Sequence, residues 1–273
     1  MKVVAALNGL LTSEIAALYA LRYANLLGYT LILLHVKDPR VSCAEVESSM
    51  TVVEAAAQGC GSKCERLFLA GDPLTAIRGY LADSRIDTLF CSTRLRRRFF
   101  EDSLSEKLAR LPLSANLAVV RIARVEAWAL TKVVVLPIRK ERLSVEKFVF
   151  FSSMTKSLAA TAEIYSVSPV SRRQQAALSG TGSRELFQRL NRHLNHYLQA
   201  LKLMTIPARI KHALAHDEVE QILHHLAYQE CQLLVVGGRR LSRLPRLFGE
   251  NRLARLFRHT SVNTIAFYAR GDK

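Results

Sequence analysis

The chain has 273 residues, 49% of them hydrophobic, which is enough for one large or two ordinary domains, each with its own core. Its formal charge is +16, unevenly spread: residues 1–126 hold 16 basic and 13 acidic side chains, residues 127–273 hold 23 and 10. Such a field suits acidic partners, namely an anionic small ligand, nucleic acid, anionic lipid or an acidic protein, and the five cysteines, with no C-x-x-C pair, argue against a disulfide framework or a zinc ribbon.

Lys2 to Leu7 is a short apolar run ending at Asn8-Gly9, as expected of a strand and a turn. Ser13-Glu14 opens an apolar pattern through Ile15, Leu18, Leu21, Ala24 and Leu26 at helical spacing, stopping near Gly28. Thr30 to Val36 is the next buried strand, ended by Pro39, and Glu45 to Ala57 the next helix. After the turn Gly59-Cys60-Gly61, Arg66 to Leu69 is a third strand. Gly71-Asp72-Pro73 starts a helix over Leu74 to Leu81, Thr88 to Cys91 is a fourth strand, Ser103 to Leu111 a helix and Asn116 to Ile122 a fifth strand. Strands alternating with helices predict a parallel sheet covered on both faces.

The pattern then repeats. Lys2-Val3-Val4 returns as Lys132-Val133-Val134, the helix start at Ser13 returns at Ser144, and Pro39 returns as Pro169. Asp72 to Ile77 matches Asp217 to Ile222, and Lys107 to Leu111 matches Arg252 to Leu256. The offset grows from 130 to 145, so the second copy carries about fifteen extra residues between Pro169 and Asp217. The expected units are 1–126 and 127–273, joined near Arg124 to Leu130, with the enlargement near 171–206. There a loop, Ser171 to Gly182, precedes a long helix whose Leu186, Leu190, Leu194, Tyr197, Leu201 and Met204 form one face. Arg184, Arg189, Arg192, His193, Asn195, His196 and Lys202 lie elsewhere, as in a covering helix with a solvated basic face. Asp217 and Glu220 have the spacing of a capping box.

Leu233 to Val236 is the apolar strand before Gly237-Gly238, and a basic loop then runs through Gly249 into an amphipathic segment. Ligands of open α/β sheets bind beyond the carboxyl ends of the strands, where a glycine pair admits a phosphate to backbone N–H groups. Arg252, Arg255 and Arg258 continue the basic surface along one helical face.

Each repeat resembles a universal stress protein domain, with a strand and turn, a helix, a strand ending in Leu34-His35-Val36 and a Gly-Asp-Pro helix start. The resemblance covers nearly the whole chain in two copies. It implies an α/β fold of two tandem, doubly wound, five-stranded parallel-sheet domains, pseudo-two-fold paired through their last strands, here Asn116 to Ile122 and Asn263 to Tyr268. It also implies ATP or another adenine nucleotide as cofactor, held in nucleotide-binding members by G-x2-G-x9-G-[ST] after the fourth strand and a carboxylate at the end of the first.

The sequence departs from that motif in both copies. In the second, Gly237 keeps the first glycine place, Arg240 stands in the second, Gly249 is one residue early, Glu250 replaces the hydroxyl residue and Pro137-Ile138 stands where the carboxylate would be. In the first, Asn8-Gly9 and Val36 are kept, but Ser92-Thr93-Arg94-Leu95 has no glycine and Asp102-Ser103 replaces Gly-Ser. A side chain in a glycine place blocks backbone approach, and Glu250 or Asp102 repels a triphosphate, whereas Arg239, Arg240, Arg243 and Arg246 could substitute charge-assisted contacts. The candidate binding residues are Gly237, Gly238, Arg239, Arg240, Arg243, Gly249 and Asn251 in the second copy, with Asn8, Gly9 and Val36 in the first.

Other signals are weaker. Arg94, Arg96, Arg97 and Arg98 before Phe99-Phe100 suit a solvated basic run beside core or interface aromatics, and no signature of sequence-specific nucleic-acid binding is present. His212 and His216, spaced on one face of an expected strand, and His193, His196, His224 and His225 in expected helices have no partners at zinc spacing, so they read as solvated or capping and no metal is expected. Cys60 and Cys64 read as unpaired thiols. There is no nucleophile elbow or nucleophile-base pair, so the chain does not read as an enzyme. With neither a signal-peptide core nor an uncharged membrane-length segment, a cytoplasmic location is expected.

The resulting expectation is a stress-response or regulatory module that senses a nucleotide or other anionic ligand through the second basic loop, or docks an acidic protein there. Homodimerisation is a further possibility. The alternatives are a soluble regulatory partner of a membrane transporter, since tandem domains of this kind also resemble the cytosolic halves of some cation/proton antiporters, and a weak ATPase.

Overall fold

The structure, a computed structural model, describes residues 1–37, 42–93, 103–138, 144–170, 180–238 and 252–271. Its elements run β1 (Lys2–Ala6), α1 (Leu11–Leu27), β2 (Thr30–Val36), α2 (Cys43–Gly59), β3 (Cys64–Leu69), α3 (Pro73–Asp83), β4 (Ile86–Ser92), α4 (Leu104–Arg110) and β5 (Asn116–Arg121). A 3-10 turn, Glu126–Trp128, leads to β6 (Val133–Ile138), α5 (Val145–Ser157), β7 (Thr161–Pro169), α6 (Gly180–Leu203), β8 (Ala208–Ala215), α7 (Glu218–Tyr228), β9 (Leu233–Gly237), α8 (Arg252–His259) and β10 (Asn263–Tyr268). Pro39 lies outside the described residues.

All ten strands join one sheet in the order β3-β2-β1-β4-β5-β10-β9-β6-β7-β8. Every neighbouring pair is parallel except β5 and β10, which run antiparallel from Arg121 opposite Thr264 to Leu117 opposite Tyr268. The last strands therefore meet as expected, and the order on either side of that joint is the same five-strand order reflected. The strands are near-continuous apolar runs because both faces are covered. Helices α1, α2, α5 and α6 supply one core with Tyr19, Met50, Phe151 and Leu201, and α3, α4, α7 and α8 the other with Ile77, Leu108, Ile222 and Leu256.

Local chemistry fixes the helix ends. Asp72 caps α3 by accepting from Thr75 N (2.9 Å), with Pro73 in the first turn, where its missing N–H is no loss. Ser144 caps α5 through Lys147 N (3.4 Å). Helix α1 begins at Leu11 rather than Ser13, because the buried Ser13 hydroxyl donates back to Leu10 O (2.7 Å) and accepts from Asn8 N (3.3 Å). It ends at Gly28, whose φ of +66° suits a residue without a Cβ.

The joint is held by polar and aromatic contacts. Fully buried Asn263 accepts from Ala123 N (2.8 Å) and Arg124 N (3.0 Å) and donates to the Tyr19 hydroxyl (3.1 Å). Arg121 donates to Thr260 O (3.0 Å). Phe150 stacks on Phe267 at 4.2 Å, and Tyr23 lies against Phe90 and Phe150 at 5.7 and 5.3 Å, so α1 and α5 close over the meeting strands. Each ring pair adds about 0.5–1.5 kcal/mol beyond its burial.

Candidate functional site

In an open, doubly wound sheet the crevice opens where helices leave adjacent strands on opposite faces. That point lies between β1 and β4 in the first half and between β6 and β9 in the second, with α1 and α5 on one face and α4 and α8 on the other.

At the second crevice the two glycines have different jobs. Gly237 is exposed at the end of β9, and a Cβ there would meet only the stem of Lys147, at 2.8 Å from Cδ and 3.3 Å from Cε. Lys147, in the first turn of α5, thus lies across the strand end and brings a cation to it, a residue absent from the sequence-derived set. Gly238 is buried under the Tyr268 ring, where a Cβ would stand 2.3 Å from Cε1, and its N–H donates to Phe267 O (2.8 Å). It is a packing glycine and its N–H is already used, so it is not held open for a phosphate. Burial pushes the Tyr268 phenol up to about 12, which keeps it neutral. Arg239, Arg240, Arg243, Gly249 and Asn251, as well as Arg246 and Glu250, lie outside the described residues.

The first crevice has the opposite character. Gly9 takes φ +79° against the start of α2, where a Cβ would meet Glu45 Cβ at 3.1 Å and Val46 N at 3.3 Å. Glu14 and Glu45 line the depression beside it, together with Ser48 and Ser49. Two carboxylates there repel a phosphate. The Asn8 side chain accepts from Leu10 N (3.2 Å), Val36 is buried, and Lys37 N donates to Leu69 O (2.9 Å). Ser103 and Glu106 complete a capping box on α4, so the helix start that would meet an anion is served by its own carboxylate. Asn8, Gly9 and Val36 come together at the strand ends, but in an acidic setting. Asp102 and Arg94 to Phe100 lie outside the described residues.

Elsewhere the sequence reading missed a buried ionic cluster. Glu163, in the middle of β7, is fully buried and accepts from Arg209 Nε (2.6 Å) and from His225 Nε2, with Lys211 Nζ at 3.2 Å. Tyr165 stacks on His225 at 3.9 Å and receives a hydrogen bond from Gln221 (2.9 Å). Burial alone would raise the Glu163 pKa, but hydrogen bonds from His225, Arg209 and Lys211 outweigh it and hold the carboxyl at about 2. His225, expected to be solvated or capping, is instead a core histidine locked by a carboxylate. The available signal was a glutamate inside an apolar strand together with Arg209 and Lys211 two residues apart on the next one.

The remaining polar expectations sort similarly. Asp217 caps α7 by accepting from Val219 N (2.9 Å) and Glu220 N (3.2 Å), and its other oxygen pairs with Arg255 of α8. His212 lies in β8 and its Nε2 donates to Asn191 Oδ1 (2.7 Å) of α6, while His216 falls just past the strand end. Among the described residues no three His, Cys, Asp or Glu side chains converge as a metal set, and no helix is long and apolar enough to cross a membrane.

Two doubly wound half-sheets joined edge to edge, each with a crevice at its strand ends, define a double α/β module. The chain has the fold of the universal stress proteins. One from Archaeoglobus fulgidus DSM 4304 superposes with a TM-score of 0.62 at 13% identity, covering 99% of this chain and 98% of its own. The cytoplasmic domain of a prokaryotic cation chloride cotransporter superposes at 0.60 with 12% identity, over 100% of this chain and 96% of that one. A functionally unknown protein from Pseudomonas aeruginosa PAO1 gives 0.58 at 12% identity, over 98% and 92%. No protein-family model matches the chain, and no curated protein matches it in sequence.

Proposed function

We propose that the chain is a two-unit regulatory module, divided at 1–126 and 127–273, whose second unit takes an anionic ligand of the adenine-nucleotide class between β6 and β9. The observation that carries this is exposed Gly237 with Lys147 lying across it. A strand-end glycine and a nearby cation are what a phosphate group requires. The sequence supplies Arg239, Arg240 and Arg243 within five residues of Gly238, and guanidinium groups bind phosphate in a bidentate manner. The first unit, with Glu14 and Glu45 at its crevice, acts as a structural partner.

Isothermal titration of ATP, ADP and AMP into the purified chain tests this. Micromolar binding is expected, and Lys147→Ala, Gly237→Trp or Arg239→Ala/Arg240→Ala should each weaken it at least tenfold. No heat with any nucleotide, or binding unchanged in all three variants, refutes the reading. Magnesium-dependent phosphate release would instead mark a weak ATPase.

A second reading is supported by the full-length likeness to a transporter's cytoplasmic domain, in which this chain is a regulatory partner of a membrane transporter. It predicts co-purification of the chain with a membrane protein from detergent extracts, independent of nucleotide. Recovery only in the soluble fraction counts against it.

A further inference from the structure

Helices α2 and α6 occupy corresponding places, each following the second strand of its half and covering the same face of the sheet. They do this with opposite charge. Helix α2 carries Glu45, Glu47 and Glu54 and no lysine or arginine, whereas α6 carries Arg184, Arg189, Arg192 and Lys202 against Glu185. Covering the sheet therefore does not require a cationic helix. The four cations of α6 are all exposed, and among the described residues none forms an ion pair. From Arg184 to Lys202 they span about 27 Å of helix at 1.5 Å per residue.

We propose that this outward face of α6 is a phosphate-backbone contact surface for duplex nucleic acid, bound without sequence preference. The composition of the face selects the partner. Between the cations stand exposed Gln188, Asn195 and Gln199, amide donors of the kind that bond phosphate and sugar oxygens. Three of the four cations are arginines, whose planar forks match phosphate. A bilayer-surface helix offers an apolar side to the lipid, but the apolar side of α6, Leu194, Tyr197 and Leu201, is buried on the sheet. Among the described side chains of 184–202, Tyr197 is buried and Phe187 is half-buried against His212, so neither offers a free ring for a base to stack on.

Four phosphate contacts predict a slope of log affinity against log salt of roughly −3.6, so affinity falls on the order of a hundredfold between 50 and 200 mM salt. The test is fluorescence anisotropy of a labelled random-sequence 20-base-pair DNA duplex with the full chain over that salt range. Arg189→Gln/Arg192→Gln/Lys202→Gln should flatten the slope to about −0.9. Arg189→Lys/Arg192→Lys should retain it, and Arg239→Gln/Arg240→Gln should leave the α6 contribution in place. Circular dichroism confirms that each variant is folded. A slope unchanged by the glutamine variant overturns the proposal. So does capture of the chain by phosphatidylserine-containing vesicles, lost in that variant, with no duplex binding.

Discussion

Replacing Gly238 by alanine separates a packing glycine from a ligand glycine at adjacent positions. The added Cβ would stand 2.3 Å from Tyr268 Cε1 and 2.6 Å from Cδ1 and Cζ, and the ring is buried, only 5% exposed. Overpacking of this kind costs about 1–3 kcal/mol. For a chain of this size that lowers the melting temperature by roughly 2–5 °C. Gly237→Ala meets only the flexible Lys147 stem and should stay within about 0.5 kcal/mol of the parent. Urea denaturation of both variants and of Gly238→Ala/Tyr268→Leu measures the difference. Because the leucine removes the obstructing ring, the double variant should be more stable than the sum of its singles by about 1 kcal/mol. A neutral Gly238→Ala, or strict additivity, would show that the ring is not what requires glycine.

Glu163 has a folded pKa of about 2 against an ordinary 4.5, so its stabilisation is complete above pH 4.5 and is lost as pH falls toward 2. The difference corresponds to roughly 3 kcal/mol, and urea midpoints between pH 6 and pH 3 should show a fall in stability that is smaller in Glu163→Gln, where Glu54, Asp72 and Asp217, whose carboxyls are also held low, still contribute. At pH 7 that variant should itself lose about 2–4 kcal/mol, since it leaves Arg209, Lys211 and His225 facing a neutral group; a loss under 0.5 kcal/mol would refute the role given to the cluster. Asn263→Ala leaves Ala123 N and Arg124 N without their acceptor at the joint and should cost about 2–4 kcal/mol in thermal unfolding, with a single transition. Two separated transitions would mean that the halves unfold independently.

Much of the architecture was legible because it rests on short-range chemistry. Alternating apolar runs and turn residues marked the strands and helices, and Asp72-Pro73 marked a capped helix start that the geometry bears out. Pairing of Asn116 to Ile122 with Asn263 to Tyr268 came from the resemblance rather than from periodicity, and these strands do meet, antiparallel. What sequence spacing hid were contacts between distant segments. Gly237 and Gly238 look alike in the sequence, and only the Tyr268 ring, thirty residues on, gives the second a separate reason. The Glu163 cluster gathers residues from β7, β8 and α7, which no local pattern ties together. Asp217 and Glu220 had capping-box spacing, yet the aspartate's other oxygen is taken by Arg255 of α8.

The antiparallel meeting of β5 and β10 within one chain has an evolutionary corollary. When two identical subunits meet across a two-fold axis, every substitution enters both and must be tolerated twice. Fusion removes that constraint, because each side of the joint is encoded separately. It also turns association into an intramolecular step whose effective concentration does not depend on expression level. One half can then harden into a support while its counterpart explores new surface chemistry. The differences between the two crevices and between the two covering helices are the kind of divergence such a release permits.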